Sequence, residues 1–97
     1  MRESQLQKQI IDYCKRNKIY CVNIFGSGMT GKGTPDLLLC VNGRFVGLEL
    51  KVGNNNPQPD QIIHGKRIVQ SGGIWEIPRT LEQAVAIIER VKGGQSG

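Results

Sequence analysis

The sequence predicts a mixed α/β domain: a mixed α+β sheet built in the order α-β-β-β-α-β-α. Three observations predict it. Apolar residues recur at helical spacing near both ends of the chain. Between them, two β-rich runs flank Asn42-Gly43, the strongest short hairpin signal, because both residues tolerate positive φ. A further helical stretch with proline in its first turn is followed by a short β-rich run.

Each element follows in order. Leu6, Ile10 and Cys14, with Tyr13, set a helix over about 3–16. Ile19 to Phe25 is β-rich, and a glycine-rich loop, Gly26-Ser27-Gly28-Met29-Thr30-Gly31-Lys32-Gly33, comes next. Pro35 cannot sit inside a central strand, so the second strand starts at Asp36 and runs to Val41. The return strand runs from Arg44 to about Val52. Gly53-Asn54-Asn55-Asn56-Pro57-Gln58-Pro59 is a loop, and a helix covers about 59–70, ended by Ser71-Gly72-Gly73. Ile74 to Ile77 is a short strand. Thr80 caps the last helix, with Gln83 completing a capping box and Leu81, Ala84, Val85, Ile88 and Val91 as its buried stripe.

Ninety-seven residues, 38% of them hydrophobic, supply one modest core, so a single domain is expected over 1–92 with a loose tail at 93–97. The longest apolar run, Leu37 to Val41, is too short to span a bilayer, and the opening residues do not read as a signal peptide. A soluble cytoplasmic protein is the expectation, with no membrane partner. Three cysteines, Cys14, Cys21 and Cys40, without C-x-x-C spacing, read as reduced, buried thiols. Thirteen lysines and arginines against eight acids give a net charge of +5, which suits a polyanionic partner; ordinary solubilising charge gives the same count.

The hairpin carries the chemistry. A two-residue turn at Asn42-Gly43 pairs Val41 with Arg44 and sets Asp36 opposite Glu49. Alternation puts Asp36, Leu38, Cys40, Phe45, Gly47, Glu49 and Lys51 on one face and six aliphatic residues on the other, so the hairpin should lie mid-sheet with cover on both sides. Two carboxylates directly opposite repel, and burial raises the cost. A Mg²⁺ or Mn²⁺ ion between them offsets it, with Lys51 two residues on as a neighbouring positive charge. For any one of these residues alone, a solvated strand-end charge is the simpler arrangement; the three together favour a metal site. Glu3 on the first helix and Gln61 on the second, taken alone, read as ordinary surface residues. The glycine-rich loop resembles a P-loop up to Gly33, but Gly33 replaces the Ser/Thr that would hold Mg²⁺, and a strand follows where a helix must begin.

Thr34-Pro35-Asp36 followed by Gly47-Leu48-Glu49-Leu50-Lys51 resembles the PD-(D/E)XK nuclease signature, which implies a restriction-endonuclease-like αβββαβ core, here with an added C-terminal helix. Glu3 before the Ile10-Ile11 helix, Gly33-Thr34-Pro35-Asp36, Gly43-Arg44-Phe45 and Pro57-Gln58-Pro59-Asp60-Gln61 are similar to the VRR-NUC (virus-type replication-repair nuclease) branch, over about 3–89. One departure is the uncharged Gly53-Asn54-Asn55-Asn56 where that branch often has a longer basic segment, and Gln58 rivals Gln61 for the glutamine position. The resemblance implies that Asp36, Glu49 and the backbone carbonyl of Leu50 ligate Mg²⁺ or Mn²⁺. It implies that Lys51 orients or deprotonates the attacking water or stabilises the phosphate, that Glu3 holds a water or a second ion, and that Gln61 positions Lys51 or the water. It further implies a homodimeric endonuclease resolving four-way (Holliday) DNA junctions in DNA repair, of the stand-alone phage or bacterial type, acting in a bacterial or phage-infected cell. With Asp36, Glu49, Glu3 and Lys51 set aside, twelve basic residues remain against five acidic ones. Lys32, Lys8, Arg44, Lys66 and Arg67 are candidates for phosphate contact. A non-catalytic branched-DNA-binding module and a general or flap endonuclease of the same fold are the alternatives.

Overall fold

The structure is a computed structural model that describes residues 1–24 and 32–94. Most of the glycine-rich loop, and Phe25 before it, lie outside the described residues, as does the end of the expected tail. Three helices and four strands follow in the expected order: α1 (Glu3–Arg16), β1 (Tyr20–Asn23), β2 (Leu37–Val41), β3 (Arg44–Leu48), α2 (Pro59–Gln70), β4 (Ile74–Glu76) and α3 (Leu81–Lys92). The sheet order is β1-β2-β3-β4, antiparallel except for the parallel β3–β4 pair. Among the described residues, no helix is long and apolar enough to cross a membrane.

The hairpin register is the expected one. Val41 pairs with Arg44, and the ladder continues through Leu37 opposite Leu48. Asn42 and Gly43 both take positive φ, 51° and 77°, which lets a two-residue turn match the strand twist. Pairing then stops. The expected strands reached Asp36 and Val52, but the ladder opens one residue before the two acids. Asp36 gives its carbonyl to the Ile24 N–H at 3.0 Å, and Glu49 N–H donates to the Glu76 carbonyl at 3.0 Å. β3 lies between β2 and β4 and pairs with both up to Leu48; at the carboxylates the β2 side stops while the β4 side runs on by one bond.

The aliphatic face of the hairpin is the core. Leu37, Leu39, Val41, Val46, Leu48 and Leu50 are all buried, packed with Leu6, Ile10 and Cys14 of α1 and Ala84, Ile88 and Val91 of α3. Tyr13 hydroxyl donates to Glu89 at 3.1 Å and ties these two helices together at their rim. In α3 the buried stripe runs through Ile87, with Val85 only half-buried, because 84, 87, 88 and 91 follow the helical repeat more closely. Thr80 caps α3 by accepting from Gln83 N–H at 3.1 Å, but the Gln83 side chain accepts from Arg79 N–H and not from Thr80, so the reciprocal arm is shifted by one residue.

The opposite face departs from expectation. α2 packs over β3 and β4: a Cβ on Gly47 would stand 3.0 Å from Ile68 Cδ1 and 3.1 Å from Pro35 Cγ. Among the described residues nothing equivalent lies over β1 and β2, so the hairpin has full cover on one face and half on the other. This also corrects the reading of the cysteines: Cys14 is buried and Cys21 half-buried, but Cys40, on the uncovered half, is exposed.

The approach of α2 to β4 depends on Gly65, because any Cβ there would fall inside the Trp75 indole. Gly65→Ala should lower stability by about 1–3 kcal/mol, as overpacking does, although alanine is the better helix former. Urea unfolding of the two proteins measures it.

Candidate metal centre

The open end of the hairpin brings two acids together. Asp36 follows Pro35, and its Oδ2 accepts the Leu50 N–H at 2.8 Å, replacing the backbone carbonyl that a continued ladder would have supplied. Glu49, two residues before Lys51, is 1% exposed. Its Oε2 accepts from Gln61 Nε2 at 2.9 Å; its Oε1 is buried and has no donor among the described residues. A buried charged oxygen without a partner is costly, so a proton shared with Asp36 or a bound cation is required to satisfy it.

The titration of the pair carries the same message. Burial pushes the Glu49 carboxyl up to about 8, with the Asp36 charge and hydrogen bond adding to the rise, the Lys51 ammonium opposing it, and Glu3 adding the smallest push. Burial also raises Asp36, against hydrogen bonds from Leu50 and Glu49 and the charge of Lys51. The two carboxyls thus sit within hydrogen-bonding reach of each other, with Lys51 near enough to act on both.

Gln61 reaches this centre because of how α2 begins. Gln58 is the N-cap by position: its N–H donates to Gln61 Oε1 at 2.7 Å, while the Gln61 N–H donates to Asp60 Oδ1 at 2.9 Å. That leaves the Gln61 amide NH₂ aimed at Glu49. Gln58 and Gln61, rivals in the sequence, thus have separate places: one caps the helix and the other touches the acid. Glu3 opens α1 and stands at the margin, where its charge reaches Glu49 as the weakest influence. Among the described residues no group of three or more His, Cys, Asp or Glu side chains is placed to hold one metal ion. Asp36 and Glu49 offer two carboxylates within reach of each other. That set suits Mg²⁺, which keeps several waters and takes one or two carboxylates plus substrate phosphates.

The candidate phosphate contacts are dispersed. Lys32 extends into solvent 3.8 Å from Asp60 and, with Gly33, Gln58 and Gln61, borders a cleft of about 530 Å³ beside the acids. Lys8 pairs with Asp12 on α1 at 3.5 Å, which offsets part of its charge. Arg44 donates to the Gly72 carbonyl at 3.2 Å and is held against the α2–β4 turn. Lys66 and Arg67 are exposed on α2. Sequence reasoning missed Arg79. Its guanidinium donates to the carbonyls of Gly53 and Asn55 at 3.0 and 2.6 Å and to Asn56 Oδ1 at 3.2 Å, fastening the loop that leaves Lys51. A lone arginine before a helix cap carries no sequence signal for that task.

Two solved structures share this architecture. One, described as a VRR_NUC domain, superposes with a TM-score of 0.73 at 24% identity, covering 90% of this chain and 94% of that one. The fold is that of a VRR-NUC domain. A second, a VRR_NUC domain protein, gives 0.75 at 17% identity, covering 93% of this chain and 87% of the other. No protein-family profile and no curated protein matches the chain.

Stability should depend on pH in the absence of metal. From about 4.5, the ordinary value for Glu49, up to about 8, the folded chain keeps a proton that the unfolded chain releases. Stability is therefore greatest below that window and falls as pH rises through it, by at most about 1.4 kcal/mol per pH unit. Urea unfolding in a chelator from pH 5 to 8 should show this fall, and Glu49→Gln should flatten it.

Proposed function

We propose that the chain is a divalent-metal-dependent DNA endonuclease that hydrolyses phosphodiester bonds, acting as a homodimer on four-way junctions. The observation that carries the nuclease reading is the buried, unsatisfied Glu49 oxygen beside Asp36, with a lysine at hand. A purely structural ion pair would leave neither acid short of a partner. Support for DNA comes from the net charge of +5 and from the likeness to VRR-NUC structures.

Asp36 and Glu49, with the Leu50 carbonyl, would hold Mg²⁺ or Mn²⁺. When bound, the cation would neutralise the paired carboxylates, polarise a phosphoryl oxygen and lower the pKa of water. The chain's own residues do the rest. Leu50 N–H holds Asp36 in place, and Gln61 fixes the rotation of the Glu49 carboxylate. Lys51 sets an ammonium beside the scissile phosphate, where it orients the attacking water or takes up charge growing on the non-bridging oxygens. Glu3, at the rim, orients water or a second cation. Dimerisation suits the junction, since two symmetric cuts need two centres related by a two-fold axis.

Purified protein should cut a four-way junction with Mg²⁺ or Mn²⁺ and leave linear duplex largely intact. Lys51→Ala should lower the cleavage rate by at least about 100-fold while keeping junction binding, as loss of one charge-stabilising or proton-transfer group does. Preference for linear duplex or flaps would point to a general nuclease, and binding without cutting in either metal to a non-catalytic module. Calorimetric titration with Mn²⁺ should show binding to the parent protein that Asp36→Asn abolishes; unchanged binding in the variant removes the metal assignment.

A further inference from the structure

We propose that Arg79 is a positioning residue for Lys51: it clamps the loop that follows Lys51 and so holds the ammonium in place beside the two carboxyls. This role rests on the nuclease reading above and adds to that site a residue distant from it in sequence. Asp36 and Glu49 each have a hydrogen bond that fixes the side chain, from Leu50 N–H and from Gln61. Lys51 acts on both acids through its charge, and it lies beyond the end of β3 at Leu48. Its place is therefore set by the chain on either side of it.

The upstream side is held. Glu49 N–H donates to the Glu76 carbonyl, and Leu50 N–H to Asp36. Downstream, the chain enters Gly53-Asn54-Asn55-Asn56, four exposed residues with no apolar side chain to bury. Gly53 takes a φ of 57°, and Asn55 N–H returns to the Val52 carbonyl at 3.2 Å. A segment that buries nothing apolar opens at little cost unless polar contacts tie it down. Arg79 supplies them. Its Nη1 donates to the Gly53 and Asn55 carbonyls at 3.0 and 2.6 Å, and its Nη2 to Asn56 Oδ1 at 3.2 Å. One planar fork thus gathers three acceptors from three residues of the loop.

The clamp has a fixed base. Arg79 lies between buried Pro78 and Thr80, the cap of α3, and its own N–H donates to Gln83 Oε1 at 2.8 Å. α3 is in turn sealed into the core through Ala84, Ile88 and Val91. All three acceptors are uncharged, and among the described residues no carboxylate pairs with Arg79, so what the guanidinium supplies is geometry. The first turn of α2, past the loop, has a brace of its own: Gly33 packs so closely that a Cβ there would stand 2.6 Å from the Asp60 carbonyl oxygen. The Lys51 side of the loop is the side that depends on Arg79.

The test uses the whole chain with Mg²⁺ and reads kcat and KM on a four-way junction. A misplacement of about 1 Å costs on the order of 100-fold in rate, so Arg79→Ala should lower kcat about 10- to 100-fold and raise KM less than about three-fold. Arg79→Lys keeps the charge without the fork and should stay at least about five-fold below the parent. In the Lys51→Ala chain, adding Arg79→Ala should change kcat less than about two-fold, because the group it positions is gone. Without metal or DNA, the backbone ¹⁵N order parameters at Lys51 and through 53–56 should fall from about 0.85 toward 0.6 in Arg79→Ala. Arg79→Lys carries the same readings should Arg79→Ala unfold, as circular dichroism would show. A raised KM with kcat unchanged, full rescue by lysine, an equal further loss in the Lys51→Ala chain, or unchanged order parameters overturns the role. If the parent protein does not cut, the nuclease reading fails, and the order parameters still decide whether Arg79 holds Lys51.

Discussion

The burial of Glu49 beside Asp36 is the constraint around which the chain is arranged. Two carboxyls within hydrogen-bonding reach, one of them 1% exposed, oppose folding unless something resolves their charge. Several parts of the chain answer to that demand. Leu50 N–H steadies Asp36, Gln61 donates to Glu49, and Lys51 opposes the rise in both carboxyls. One oxygen stays unanswered, and it marks the place where a ligand gains most by arriving.

The rest of the fold reads as support for that placement. The aliphatic side of the hairpin is sealed by α1 and α3, so the strands cannot slide without turning six apolar side chains toward water. β4 holds the far edge of β3 through Glu49, while the β2–β3 ladder ends at Leu37 and Leu48. α2 is fixed on the other side by the close approach of Gly65 to Trp75 and of Gly47 to Ile68. Its first turn, in which Gln58 N–H holds the Gln61 side-chain oxygen, then presents an amide to the buried acid.

Much of this was legible in the sequence, for local reasons. Asn42-Gly43 fixed the register, and the register set the acids opposite each other. The helical repeats gave the bounds of α1 and α2, since their periodicity is long and their ends are marked. What escaped depends on contacts between distant segments. The early end of β3 goes with the Leu50 N–H turning to the Asp36 carboxylate, which no nearby residue announces. The exposure of Cys40 follows from the width of α2, and the hold of Arg79 on residues 53–56 from a contact across more than twenty positions. The division of labour between Gln58 and Gln61 was ambiguous because two glutamines three apart look alike until the helix start is known.

The two-residue turn at Asn42-Gly43 has a consequence for how such a chain can diverge. It sits at the far end of the hairpin from the acids, yet it acts as the gauge that lines them up. Side chains there are limited to those that accept positive φ. One residue gained or lost would shift the frame of everything downstream, carrying Glu49 to the wrong side while leaving each site residue intact in the gene. The turn is thus held in length as firmly as in composition.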